Sequence, residues 1–195
     1  MRFLRAQTII ELLIAMSVIV VGLTSAAGII FSNQRLQERS ANLVTASNLA
    51  REGVELAKAV RDTNWIAGAP FDTGLASSTD YTAVPRMDGG IFIDFDFFAN
   101  ATSDAIALMK RSTNANSMGM FVQGSGVAGG STNTIFSRLV TLNPICSDYT
   151  IRTSGSSCPD PGNPKIGVEV TSLVQWKMRD GWRQSSIVDN LYDWR

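Results

Sequence analysis

Polar and apolar positions change their pattern twice along this chain. From Leu12 to Phe31 almost every residue is apolar or small. As a helix, this run of about 20 residues matches the roughly 30 Å hydrocarbon core of a bilayer. From Asn33 to Asp62 charges enter, yet a helical period persists: Leu36, Leu43, Ala50 and Ala57 recur at heptad spacing, with Ala46, Val54 and Val60 near the same stripe. Arg39, Arg51, Glu55, Lys58 and Arg61 lie mostly away from it, and Arg51 with Glu55 forms an (i, i+4) pair worth a few tenths of a kcal/mol. No proline stands between Met1 and Ala69. One continuous helix of about 55 residues, or two joined at Gly22 and Gly28, is therefore predicted. Its first half is apolar all round and its second half needs a cover for one narrow stripe, so the whole must sit in a membrane or among copies of itself.

Beyond Trp65 the pattern becomes alternation punctuated by turns. In GGIFIDFDFFAN, Ile91, Ile93, Phe95 and Phe97 share one face of a strand, and Phe92, Asp94, Asp96 and Phe98 share the other. Met118 to Val122 and Ile135 to Leu142 are further strands, separated by GSGVAGGSTN. The segment IGVEVTSLVQWKMRDGWRQSSIVDNLYDW reads as a hairpin with its turn signal at Arg179-Asp180-Gly181. The expectation is an α+β fold: a long N-terminal helix packed on an antiparallel β-sheet domain, with divisions at 7–31 (apolar helix), 32–64 (amphipathic helix) and 65–195 (β-rich domain).

Composition narrows the chemistry. Of 195 residues 45% are hydrophobic, which suits a folding chain rather than a disordered one. The 17 basic and 17 acidic residues cancel and form no basic tract interleaved with aromatics, so no specific nucleic-acid partner is expected. With no histidine, the usual nucleophile pairs and most catalytic zinc sites are missing. The two cysteines, Cys146 and Cys158, flank a turn-rich polar stretch behind an export-like N-terminus, which points to one disulfide outside the cytoplasm, worth about 3 kcal/mol. Asp94 and Asp96 are too few oxygens for calcium. Asn100-Ala101-Thr102 is a chance-prone glycosylation pattern, Asp160-Pro161-Gly162-Asn163 is a turn, and Trp176, Trp182 and Trp194 read as packing residues. No metal, cofactor or catalytic residue is assigned, and the reading is a non-enzyme.

Glu11 is the anomaly. It enters the apolar segment just after Arg2 and Arg5, which hold this end on the cytoplasmic side, and a carboxylate at that depth costs roughly 2.5–3.5 kcal/mol on insertion scales. The run Arg5-Ala6-Gln7-Thr8-Ile9-Ile10-Glu11-Leu12 resembles the class III leader of type IV pilins and pseudopilins, most closely from Thr8 to Ala15. It departs from the commonest form at Ala6, where Gly is usual, and at Gln7, where Phe is usual.

The resemblance implies removal of residues 1–6 by a prepilin peptidase that cuts between Ala6 and Gln7, and N-methylation of Gln7. It assigns Thr8 and Glu11 to assembly, with Glu11 pairing with the N-terminal amine of a neighbouring subunit. The implied partners are other copies in a helical filament, an inner-membrane assembly machinery, and membrane lipid before assembly. The chain would begin in the cytoplasmic membrane and end in an extracellular pilus, and GLTSAAG (Gly22 to Gly28) would be a place where the helix can unwind or pack closely. Two alternatives share these signals in part: a minor pilin or pseudopilin of a secretion or DNA-uptake system, and a signal-anchored surface protein that binds a ligand.

Overall fold

The computed structural model describes residues 3–75, 82–86, 94–97, 107–113, 118–123, 130–153, 156–159 and 161–193. One helix, α1 (Phe3–Ala67), runs unbroken through Gly22 and Gly28. Its length, 65 residues, exceeds the expected span because both ends extend further than the hydropathy pattern marked. Its C-terminus is a Schellman cap: the Gly68 amide donates to Trp65 O, the Ala69 amide donates to Asn64 O, and Gly68 takes the left-handed φ of 69° that a side chain would resist. Pro70 then prevents continuation, and Asn64 Nδ2 ties the following turn down by donating to the carbonyls of Phe71 and Thr73.

Contacts divide the chain into two compact units, Met1–Val44 and Thr45–Arg195. The first is helical throughout its described residues. The second holds the C-terminal part of α1 and, among the described residues, seven antiparallel strands: β1 (Thr82–Arg86), β2 (Asp94–Phe97), β3 (Leu108–Ser112), β4 (Phe121–Val122), β5 (Ser131–Cys146), β6 (Lys165–Met178) and β7 (Gly181–Tyr192). Together with the helix they make an α+β fold. The sheet is built around β5, which pairs along one edge with β6, itself paired with β7, and along the other edge with two hairpins placed end to end, β3–β4 against its first half and β1–β2 beyond.

Residues Arg179 and Asp180 make the two-residue turn of the last hairpin, closed by the Met178–Gly181 pair. Strand β5 is much longer than the run that marked it, Ile135 to Leu142, because Ser131, Thr132 and Asn133 pair with β3 and Asn143 pairs with β6 as regularly as their apolar neighbours. Conversely, Met118 and Gly119 form a turn, so the strand expected from Met118 to Val122 shrinks to Phe121–Val122. Only the backbone of Asp94–Phe97 is described within GGIFIDFDFFAN, so the expected division of its faces, Asp94 and Asp96 included, lies outside the described residues, as does Asn100-Ala101-Thr102.

Within the second unit, alternate residues of β6 (Val168, Val170, Ser172, Val174, Trp176) face the helix and are buried. The helix answers with a stripe of small residues, Ala46, Ala50, Gly53 and Ala57, which lets its backbone lie close to the sheet while Trp176, Phe136 and Met109 fill the space between. Burial of the heptad stripe begins at Ala46. Leu36 and Leu43 remain half exposed, because the first unit offers them no sheet. The expected Arg51–Glu55 pair is replaced: Glu55 bonds Lys58 at 3.1 Å, and Lys58 also reaches Asp189 on β7 at 2.8 Å. Strand β7 supplies a second carboxylate within reach of Lys58, and Arg51 stays exposed.

Gly53 marks the closest approach. A Cβ there would collide with the Ser172 hydroxyl and lie 3.1 Å from Ser172 Cβ and 3.3 Å from Arg138 Cδ. Gly53→Ala would gain up to about 1 kcal/mol of helix propensity, but overpacking of about 1–3 kcal/mol outweighs it. A net loss of stability is expected in urea titration of the detergent-solubilised chain, with recovery on adding Ser172→Gly. An unchanged or raised midpoint for Gly53→Ala alone would show that the contact relaxes freely.

Candidate functional site

The N-terminal unit carries the first candidate site. From Ile9 to Phe31 every large apolar side chain is exposed, and the helix is long and apolar enough to cross a membrane. Its hydroxyls are satisfied within the helix: Ser17 Oγ donates to Leu13 O at 2.7 Å, Thr24 Oγ1 to the carbonyls of Val20 and Val21 at 3.0 Å, and Ser25 Oγ to Val21 O at 2.8 Å. Such back-bonding removes the penalty for placing a hydroxyl in an apolar medium. Glu11 is different. It is exposed, and it has no ion-pair or hydrogen-bond partner among the described residues. Between Ile9 and Phe31 it is the one polar side chain that the helix leaves unsatisfied. Ala6, Gln7 and Thr8 lie on the same helix one to two turns before it; their backbone is helical and their side chains are outside the described residues.

The second charged site lies where the helix meets the sheet, and the sequence reading missed it. Arg138 on β5 has no exposed surface. Its Nε donates to Gln123 Oε1 at 3.1 Å, its Nη1 donates to Leu49 O at 3.0 Å, and Nη1 stands 3.3 Å from Glu52 Oε2. Gln123, also buried, donates through Nε2 to Ala107 O at 2.6 Å and to Arg138 O at 2.5 Å. Burial pushes the guanidinium pKa down against the opposing pull of Glu52. Arg138 Nη2 and Ser172 Oγ are buried without hydrogen-bond partners among the described residues.

Arg138, Gly53 and Ser172 occupy the seam between two apolar clusters, one around Ala46, Phe136 and Trp176 and the other around Val54, Val140 and Val170. The arrangement bridges helix and sheet rather than offering a cleft. A signal for it was present, since Arg138 falls on the inward face of an alternating strand, two residues from Phe136 and from Val140.

The third site is the disulfide loop. Cys146 and Cys158 are joined, as their placement in the sequence predicts. Between them the chain turns at Ser147–Tyr149: Tyr149 N donates to Cys146 O, Cys146 N donates to Thr150 O, and Tyr149 takes a φ of 61° with its ring exposed. Asp148 Oδ1 accepts from both the amide and the hydroxyl of Thr150, at 3.0 and 2.6 Å, while Asn163 Oδ1 accepts from the Ser147 hydroxyl and the Asp148 amide.

The Thr150 hydroxyl, followed by Asn163 and the Thr150 amide, holds the Asp148 carboxyl down to about 2. Because the folded pKa lies below the ordinary 3.8, the loop gains stability that is fully present above that value and lost as pH falls through about 2. Amide exchange at Thr150 is expected to accelerate only in that acid window, and Asp148→Asn should abolish the step. A midpoint at the ordinary carboxylate value would show that these bonds do not persist in solution.

Among the other residues weighed in the sequence, Trp176 is buried in the helix-facing core, Trp182 is exposed, and Trp194 and Asp160 lie outside the described residues. No group of three metal-ligating side chains occurs among the described residues. Comparison of the chain with protein-family models, with curated proteins and with solved structures gives no match.

Proposed function

We propose that this chain is a type IV pilin-like structural subunit, inserted in the cytoplasmic membrane as a precursor and assembled through its N-terminal helix into an extracellular filament. Glu11 carries the reading: it is an unsatisfied carboxylate at the head of an exposed apolar helix whose other polar side chains, from Ile9 to Phe31, are bonded internally. A charge in that position is expensive alone and tolerable when a second charge is brought to it. The N-terminal amine freed by cleavage between Ala6 and Gln7 in a neighbouring copy supplies that charge, so the pair sets the register of assembly. Thr8 lies beside the same junction. The disulfide suits an oxidising exterior.

Intact mass and N-terminal sequencing of the protein from sheared surface filaments and from membranes test the processing. A chain beginning at Gln7, methylated or not, is expected in the filament fraction; chains beginning only at Met1 and confined to membranes would leave the signal-anchored reading instead. Glu11→Val is expected to reduce filament incorporation by at least roughly tenfold while leaving the precursor in the membrane. Equal incorporation would remove Glu11 from assembly.

A further inference from the structure

Strand β7 is the one long edge among the described strands. Within the described residues it pairs with β6 alone, over twelve residues and without a register shift, whereas the opposite edge of the sheet ends in β2 and β4, four and two residues long. A short edge limits itself; a long regular one offers its outward N–H and C=O groups to another strand unless something blocks it. Strand β7 holds no proline and no lysine, two common blocking residues. Its two charges are each held elsewhere, Arg183 by Asp180 and Asp189 by Lys58, so neither stands unpaired at the edge.

Ladder geometry fixes which groups face outward. The Asp193 amide donates to Ile166 O, next in register after the Gly167–Tyr192 pair, so hydrogen-bonded pairs with β6 fall at the odd positions of β7 and alternate with unbonded ones. The backbone groups of Trp182, Gln184, Ser186, Val188, Asn190 and Tyr192 therefore point away from β6. The Asn190 amide is the exception in being occupied, since it donates to Asp189 Oδ1. These six residues also carry their side chains on the face of the sheet opposite the helix, where all six are exposed.

We infer that β7 pairs with β7 of a second copy of this chain, antiparallel and centred on Ile187, so that two sheets join edge to edge. The occupant follows from the order of the outward side chains, which is the same in kind from either end: an aromatic ring, an amide, a short side chain. Centred on Ile187, the register sets Trp182 against Tyr192 of the second copy, Gln184 against Asn190 and Ser186 against Val188, and two-fold symmetry makes each pair twice. Gln184 Oε1 already accepts from Gln175, which leaves its amide group to donate to the Asn190 side chain opposite. On the helix-facing side Arg183 meets Leu191 and Ser185 meets Asp189, so no like charges oppose. The axis stands normal to the sheet and reverses the helix packed on it. Within the filament reading the contact therefore joins copies in two oppositely directed filaments and is separate from the pairing of Glu11; the strand pairing itself does not rest on that reading. One strand pair is small beside the roughly 1,000 Å² of a stable interface, so it is transient between single chains and gains strength from repetition.

The test is oxidative cross-linking of the full chain, solubilised at one chain per micelle, with single cysteines added on the outward face of β7. Directly opposed bonded positions stand about 5.5 Å apart at Cα, within disulfide reach, and diagonal ones about 7–8 Å apart. Chains carrying Ser186→Cys mixed with chains carrying Val188→Cys should therefore cross-link at least roughly tenfold faster than Ser186→Cys chains alone. Gln184→Lys with Asn190→Lys in both chains sets like charges against each other and should slow that reaction roughly tenfold. The native Cys146–Cys158 bond, mapped by mass spectrometry, reports that each variant has folded. Fastest cross-linking among Ser186→Cys chains alone would reveal a different register, and equal rates in all mixtures would reveal random collision; either overturns the pairing, as does indifference to the two lysines. Solubilised chains need no cleavage at Ala6, so this result stands or falls apart from the N-terminal sequencing that tests the filament reading.

Discussion

Arg138→Ala is expected to destabilise the C-terminal unit by about 3–5 kcal/mol, the range for breaking a buried charged network by removing one member. The loss has three parts. The Leu49 carbonyl and Gln123 Oε1 lose donors in a site that excludes water, and each unpaired buried group costs about 1–3 kcal/mol. The space vacated by a large side chain adds a cavity penalty. Glu52 contributes less, because its side chain is about one-third exposed and regains water.

Arg138→Met separates these parts. It keeps most of the volume, so its cost should be smaller, and adding Gln123→Leu, which removes the unpaired Oε1 but also the Nε2 donor to the carbonyls of Ala107 and residue 138, should raise the cost again. Equilibrium urea unfolding of the detergent-solubilised chain measures all three. If Arg138→Met proves as costly as Arg138→Ala, the hydrogen bonds dominate and packing is minor; if Arg138→Ala costs under about 1 kcal/mol, the network does not hold the helix to the sheet. A register role is the attested use of such buried ions, and here it would fix how the helix sits along β5 and β6.

The disulfide carries the second large effect. Replacing Cys146 and Cys158 together by Ser is expected to cost about 2–5 kcal/mol, with about 3 kcal/mol from the freedom returned to the unfolded chain by a closure of this length. The remainder depends on Cys146, which is fully buried at the end of β5, where a serine hydroxyl would replace a sulfur bonded only to its partner. The effect should be concentrated in the loop and the neighbouring ends of β5 and β6, since Cys146 pairs with Lys165 across a register shift. Reduction by dithiothreitol should reproduce the double variant in stability and in amide exchange at residues 147–153. A midpoint unchanged by either would show that the hydrogen bonds of Asp148 and Asn163 alone secure the loop.

Much of this architecture is written in short-range patterns, and the failures share a cause. The apolar run and the absence of proline before Ala69 act locally, so they announce a long helix. The turn at Arg179–Asp180 and the cysteine pair are equally local. Glu11 could be singled out because a lone charge in an apolar helix is anomalous in any tertiary setting. By contrast, Arg51–Glu55 was the obvious neighbouring pair on the helix, yet Lys58 takes Glu55, drawn to a carboxylate that arrives from β7 more than a hundred residues later. Leu36 and Leu43 shared the heptad stripe with Ala50 and Ala57, but periodicity does not say how far along a helix a sheet extends.

The sequence by itself determined the long helix, its apolar first half, the isolated carboxylate, the α+β class and the disulfide, because each depends on residues close together in the chain. Only the tertiary structure decided which half of the helical stripe is covered, which carboxylates pair with Lys58, that β5 carries two hairpins along one edge, and that Arg138 is buried at the seam beside Gly53 and Ser172. Those outcomes depend on which strand registers bring distant groups within hydrogen-bonding distance, and on competition among partners that are remote in the chain and adjacent in space.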